Sequence, residues 1–81
     1  MTRELADIVA RNIRIERSRR RWKQEELADL LGWGSSAVGA VEAGTRRVNM
    51  DDLPGLCRVF GIPLIRLIDG ADPEDLAALD L

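Results

Sequence analysis

Eighty-one residues, 46% hydrophobic and 32% charged, fit one small globular domain and exclude a disordered chain. There is no His, no Tyr and one Cys, so thiolate–imidazole metal sites, His-based catalysis and an intrachain disulfide are excluded. The net charge of −2 hides a gradient of +5 over 1–23, −2 over 24–50 and −5 over 51–81. One pole is therefore basic, and the low net charge does not argue against a nucleic-acid partner. No cofactor and no enzymatic activity are expected. No apolar run approaches the roughly 18 residues of a membrane span. The opening residues mix Arg, Glu and Asp with apolar positions at helical spacing, unlike a signal peptide, so the chain is read as cytoplasmic.

The elements follow in chain order. Thr2 is the expected N-cap of a first helix whose apolar face is Leu5, Ile8, Val9 and Ile13, ending near Ser18–Arg20. The run Arg19–Arg21 reads either as a solvated basic loop or as a phosphate-facing patch. Trp22 anchors the link into a second helix, Gln24–Leu31, in which Leu27, Leu30 and Leu31 form one stripe. Ala28 beside it lets another helix approach closely, and Gly32 stops the helix. A third helix, about Ser35–Ala43, follows Gly34 as an acceptable N-cap, buries Val38 and Val41, and stops at Gly44. Thr45–Asn49 is a polar, basic loop.

A fourth helix starts near Asn49 or Asp51, since Pro54 is tolerated only in a first turn, and runs to Phe60 before Gly61. Its apolar face is Leu53, Leu56, Cys57 and Phe60. Cys57 reads as a buried structural thiol, with a redox switch as the alternative. Pro63 opens a short fifth helix with Leu64, Ile65, Leu67 and Ile68, and Gly70 ends it. Asp72-Pro73-Glu74-Asp75 is a helix-start signature leading into Leu76, Ala77, Leu79 and Leu81. That tail is either frayed or docked. The expectation is an all-α bundle of about five helices: residues 1–70 as the domain, and 71–81 as an acidic tail that could hold a short helix.

Two short helices joined by a Gly-containing turn, as in QEELADLLGWGSSAVGAVE (24–42), form the DNA-binding helix-turn-helix unit. From Ile13 to Ile68 the chain also resembles the phage-repressor-like helix-turn-helix family, the class of the lambda and 434 repressors and Cro. Gln24 matches the glutamine opening the second helix, Ala28 the small crossing residue, Gly32 the turn glycine, and Val38 and Val41 the buried pair of the third helix. VEAGTRRV is similar to the family's I-E-x-G-x-R segment, and LCRVFGIPLIRLI to its closing helices. The chain departs from the pattern at Lys23 and Gly34, where the family usually has Ser or Thr. Ala37, Gly39 and Ala40 are also smaller than in many relatives.

The resemblance implies a lambda-repressor-like fold that binds double-stranded DNA with the third helix in the major groove. Base readout then falls to Ser35, Ser36, Ala37, Gly39 and Ala40: hydroxyls that donate or accept, and methyls that meet thymine. Such small residues imply that DNA shape and bound water carry part of the specificity. Phosphate contacts fall to Gln24, Lys23, Arg19, Arg21, Arg46 and Arg47. Gln24 would also brace the third helix, its plain alternative being an exposed helix start. Glu42 is expected to pair with an Arg of the first helix such as Arg17, and Trp22 and Trp33 to be core anchors and not base-stacking platforms.

The function expected is a repressor acting as a homodimer, because one small domain covers too few base pairs for selectivity. The apolar stretch from Pro63 to Leu81 is the natural seam, unless it merely caps the core. The alternative is an antitoxin or adaptor whose acidic C-terminal half binds a protein partner such as a toxin or effector.

Overall fold

The computed structural model describes residues 4–81 and forms six α-helices there. The Thr2 cap lies outside the described residues. Helix α1 (Leu5–Arg19) starts after Glu4 in extended backbone and buries Ile8, Val9 and Ile13, as its spacing predicts. It also buries Asn12 and Glu16, two polar residues on the same stripe. Asn12 donates both amide hydrogens, to the carbonyls of Leu67 at 2.7 Å and Asp69 at 2.9 Å. These bonds stitch α1 to the end of α5 and offset the cost of burying the amide.

Helix α2 spans Gln24–Leu31, as expected. Lysine has no acceptor to cap it, and the Glu26 carboxylate instead accepts the Lys23 backbone N–H at 3.0 Å. Gly32 has φ +72°, and the N–H of Trp33 closes back onto the Ala28 carbonyl at 2.9 Å. That turn needs left-handed backbone, which favours glycine. Leu27 and Ala28 are fully buried, but Leu30 is 54% exposed. The stripe is thus narrower than its sequence: α3 and α4 pack on the Leu27 side, and no described element covers the Leu30 flank.

Helix α3 (Ala37–Ala43) is two residues shorter than predicted at its start. Gly34–Ser36 are spent on a turn closed by the Ala37 N–H to the Gly34 carbonyl at 3.0 Å, and Ser36, not Gly34, is the N-cap. A 3₁₀ turn over Met50–Asp52 then leads into α4 (Leu53–Phe60). The Asp52 carboxylate accepts the Asn49 N–H at 2.9 Å, which sets this entry three residues ahead of the α-helix proper. Helix α5 is the single turn Leu64–Leu67. The tail forms a sixth helix, α6 (Pro73–Ala78). It is docked at one end only: Leu76 packs on the core, while Leu79 and Leu81 stay about half exposed.

Ile13, Leu27, Val38, Val41, Leu56 and Leu67 meet in one core with almost no exposure, so every helix from α1 to α5 contributes a fully buried side chain. Trp22 and Trp33 are half-buried against its rim, as anchors; the Trp22 and Phe60 rings stack at 6.1 Å between centroids. Cys57 is half-buried, and burial raises its thiol pKa, which disfavours the reactive thiolate.

The run Arg19–Arg21 divides by function. Arg21 adopts φ +57° and turns the chain out of α1. Arg20 folds back, donating to the Glu16 carbonyl at 2.7 Å, the Glu16 carboxylate at 2.9 Å and the Phe60 carbonyl at 2.6 Å. Burial alone would push Glu16 up, but its bond to Arg20 and the nearby charges of Arg66 and Arg19 hold its carboxyl below the usual value of 4.5. A depressed carboxylate contributes stability that is present above the unfolded pKa and lost as pH falls through the folded one. Urea midpoints should therefore hold from pH 7 to about 5 and drop below 4.5. Glu16→Gln should flatten that drop.

Candidate nucleic-acid interface

Helix α3 presents its N-terminal end outward because everything behind it is clamped. Glu42, on the last turn of α3, receives two parallel bonds from Arg17 of α1: Nε to Oε2 at 2.7 Å and Nη2 to Oε1 at 2.9 Å. The third nitrogen, Nη1, donates to the Trp22 carbonyl at 2.8 Å and so fixes the α1–α2 link as well. Planar fork-to-fork pairing of this kind is both strong and geometrically restrictive. Side-chain exposures of 16% and 6% place the pair mostly out of water, and hydrogen bonding to Glu42 raises the Arg17 pKa. Gln24 completes the clamp, donating Nε2 to Glu42 Oε1 at 3.2 Å.

Gly39 lies directly beneath that amide. A Cβ there would stand 3.0 Å from Gln24 Oε1, so a small residue at 39 is what lets Gln24 cross from α2 onto α3. Smallness at this position is thus explained by packing.

Ser35 and Ser36 are exposed in the turn, and Ala37, Gly39 and Ala40 are partly exposed behind them. No side-chain cap bond occupies the Ser36 hydroxyl. The Ala40 carbonyl, by contrast, is surrounded: it accepts from the N–H groups of Thr45 and Arg46 and from the Thr45 hydroxyl. Those bonds turn the basic loop back against α3. Arg46 then lies 4.6 Å over the Trp33 ring, next to the turn that carries Ser35 and Ser36.

The residues expected to meet phosphate fall into separate groups. Lys23 and Gln24 are adjacent and exposed at the start of α2, and Arg46 joins the α2–α3 turn through Trp33. Arg21 is exposed in the α1–α2 link. Arg47 reaches the other way, to Glu4 at 2.6 Å, in an ion pair exposed on both sides that raises the Arg47 pKa. Such a pair is screened and contributes little. Arg19 leaves the group altogether: it turns toward α5, with its Nη1 3.6 Å from Glu16. A helical net separates residues 16 and 17 by about 100°, so the Glu16 side of α1 cannot also face α3.

Arg14 is a cation that sequence reasoning missed. It lines a cleft with Glu42, Ala43 and Gly44, beside the C-terminal end of α3, and makes no ion pair among the described residues. Its i, i+3 spacing from Arg17 was the available signal.

Residues 8–67 match the helix-turn-helix domain family. The chain belongs to that family. As a helix-turn-helix protein of the lambda-repressor-like class, it is a DNA-binding transcriptional regulator. Among solved structures, it is similar to a hypothetical transcription factor from Neisseria, with 26% identity and a TM-score of 0.74 over 94% of this chain and 85% of the other. It is also similar to the restriction-modification controller protein C.AhdI from Aeromonas hydrophila. That match has 31% identity and a TM-score of 0.69, covering 76% of this chain and 94% of the controller. A mutant of the controller protein C.Esp1396I, at 18% identity, shares the fold with a TM-score of 0.72 over 99% of this chain and 95% of that one. No curated protein matches the chain. No helix among the described residues is long and apolar enough to cross a membrane.

Proposed function

We propose that this helix-turn-helix protein is a sequence-specific repressor that binds DNA as a homodimer, with α3 in the major groove. The observation that carries this reading is the clamp Arg17–Glu42–Gln24. It holds α3 rigidly from behind and leaves Ser35, Ser36 and Ala37 free at the helix end that enters the groove. Lys23, Gln24, Arg21 and Arg46 flank that end and make phosphate contacts, with Arg47 joining them by exchanging Glu4 for phosphate. Ser35 and Ser36 supply the direct readout, and the methyls of Ala37 and Ala40 pack against thymine. The remaining specificity comes from DNA shape and bridging water.

Mobility shifts on the DNA upstream of the protein's own gene, taken through a salt series, test this. A specific complex at physiological salt is expected, and Ser35→Ala with Ser36→Ala should alter the order of preferred sequences by about tenfold. Binding no tighter than to random DNA would refute the regulator's specificity, and an unchanged order would remove the serines from readout.

Dimerisation is assigned to the C-terminal end, where Ile65 is 43% exposed and Leu79 and Leu81 about half exposed. Two such patches related by a two-fold axis bury each other, and a dimer doubles the base pairs read. Sedimentation of Ile65→Asp and of a chain ending at Gly70 should show monomers at micromolar concentration. A truncated chain that stays dimeric would instead leave the acidic α6 as a surface for a protein partner.

A further inference from the structure

Between α1 and α5, away from the α3 end, lies a cleft of about 520 Å³ bordered by Arg11, Glu16, Arg19, Arg66 and Asp69. That volume falls in the range of small-molecule sites. Its charges are not in balance. The Glu16 carboxylate has three guanidinium neighbours, and Arg20, anchored by two carbonyls, takes the short bond at 2.9 Å. Arg66 and Arg19 are left at 3.4 and 3.6 Å, beyond the 2.7–2.9 Å of a full charge-assisted bond. Arg11 makes no ion pair among the described residues. Its Nη1 leans toward the end of α5, 3.6 Å from where a Cβ on Gly70 would stand. Arg20 takes Glu16 Oε1, and Arg66 and Arg19 share Oε2 only at long range, so three guanidinia with spare donors line a cleft that holds two acidic residues, Glu16 and Asp69.

We infer that this cleft binds the phosphate group of a small phosphorylated molecule, held between Arg11, Arg19 and Arg66. A tetrahedral dianion offers acceptor oxygens in three directions and suits guanidinia arriving from two helices, whereas a planar carboxylate pairs with one fork. Ile15, also on the cleft wall, supplies apolar contact for the rest of the molecule, while Ile65, which borders the cleft as well, is taken up by the proposed dimer seam. The cleft uses none of the residues grouped around the N-terminal end of α3, so the site stands independently of how DNA is read.

The test is an NMR titration of the full chain with inorganic phosphate, replacing chloride at constant ionic strength, that follows the arginine Nε–Hε signals. Saturable shifts of Arg19 and Arg66 in the millimolar range are expected. Arg66→Gln should weaken binding at least fivefold, and Asp69→Asn, which removes one of the two carboxylates lining the cleft, should tighten it about threefold. Both positions are exposed, so neither substitution opens the core. Absence of saturable shifts, or affinities indifferent to both substitutions, overturns the site. A random-sequence DNA duplex is the competing source of phosphate. If it displaces inorganic phosphate from the same two signals, the cleft serves the DNA backbone and the small-molecule assignment fails.

Discussion

Glu42→Ala is expected to cost about 3 kcal/mol of folding stability, since removing one member of a mostly buried pair strands the other charge. For a domain of this size that lowers the thermal midpoint by roughly 15 °C or more. The loss is large because one carboxylate serves two helices: it takes both forks of Arg17 from α1 and the amide of Gln24 from α2. Arg17→Ala should cost a similar amount, because that guanidinium also holds the Trp22 carbonyl. The double variant should lose clearly less than the two singles together, since its second change removes an already unpaired group. Circular-dichroism melts of the three variants measure this, and strict additivity would show that the pair contributes no coupling. Some loss of DNA affinity should accompany the stability loss even well below the midpoint, because the clamp sets the angle of α3.

The double substitution Arg46→Ala with Arg47→Ala should weaken binding to every DNA sequence by roughly 10- to 100-fold at physiological salt. The slope of log affinity against log salt should become shallower by about 2, at roughly 0.9 for each phosphate left unneutralised. The two singles separate by their effect on the fold. Arg46 lies over Trp33, so its loss should also cost about 0.5–1 kcal/mol of stability. Arg47 pairs with Glu4 in an exposed bridge, so its loss should leave stability almost unchanged. Arg58→Ala, an exposed cation on α4, is the control and should leave both slope and affinity intact. An unchanged slope in the double variant would remove the loop from the phosphate-binding surface.

The helix order was legible from local rules alone. Gln24 to Gly32 is a short apolar stripe closed by a residue that tolerates positive φ, and the structure has those same bounds. That Glu42 pairs with an arginine of the first helix, such as Arg17, was also legible, from charge. A carboxylate beside a phosphate-facing surface needs a cation, and α1 is the helix that supplies one. Leu30 shows where periodicity fails: its spacing matches that of Leu27, but only a neighbouring helix can bury it, and none lies on that flank. The start of α3 was misplaced for a related reason. Gly34 and Ser36 are both acceptable caps, and the geometry of the turn decides between them.

The sequence by itself determined the identity of the fold: which residues are apolar at helical spacing, where glycine permits the chain to turn, and that the basic end precedes the acidic one. These are properties of neighbouring residues, so no distant contact is needed to read them. Only the tertiary structure decided what each charged side chain does. Arg19, Arg20 and Arg21 are consecutive and chemically identical, yet one faces the α5 cleft, one is spent on Glu16 and Phe60, and one is exposed in the turn. A guanidinium's role depends on which acceptors lie within reach, and those acceptors come from helices up to 50 residues away in sequence.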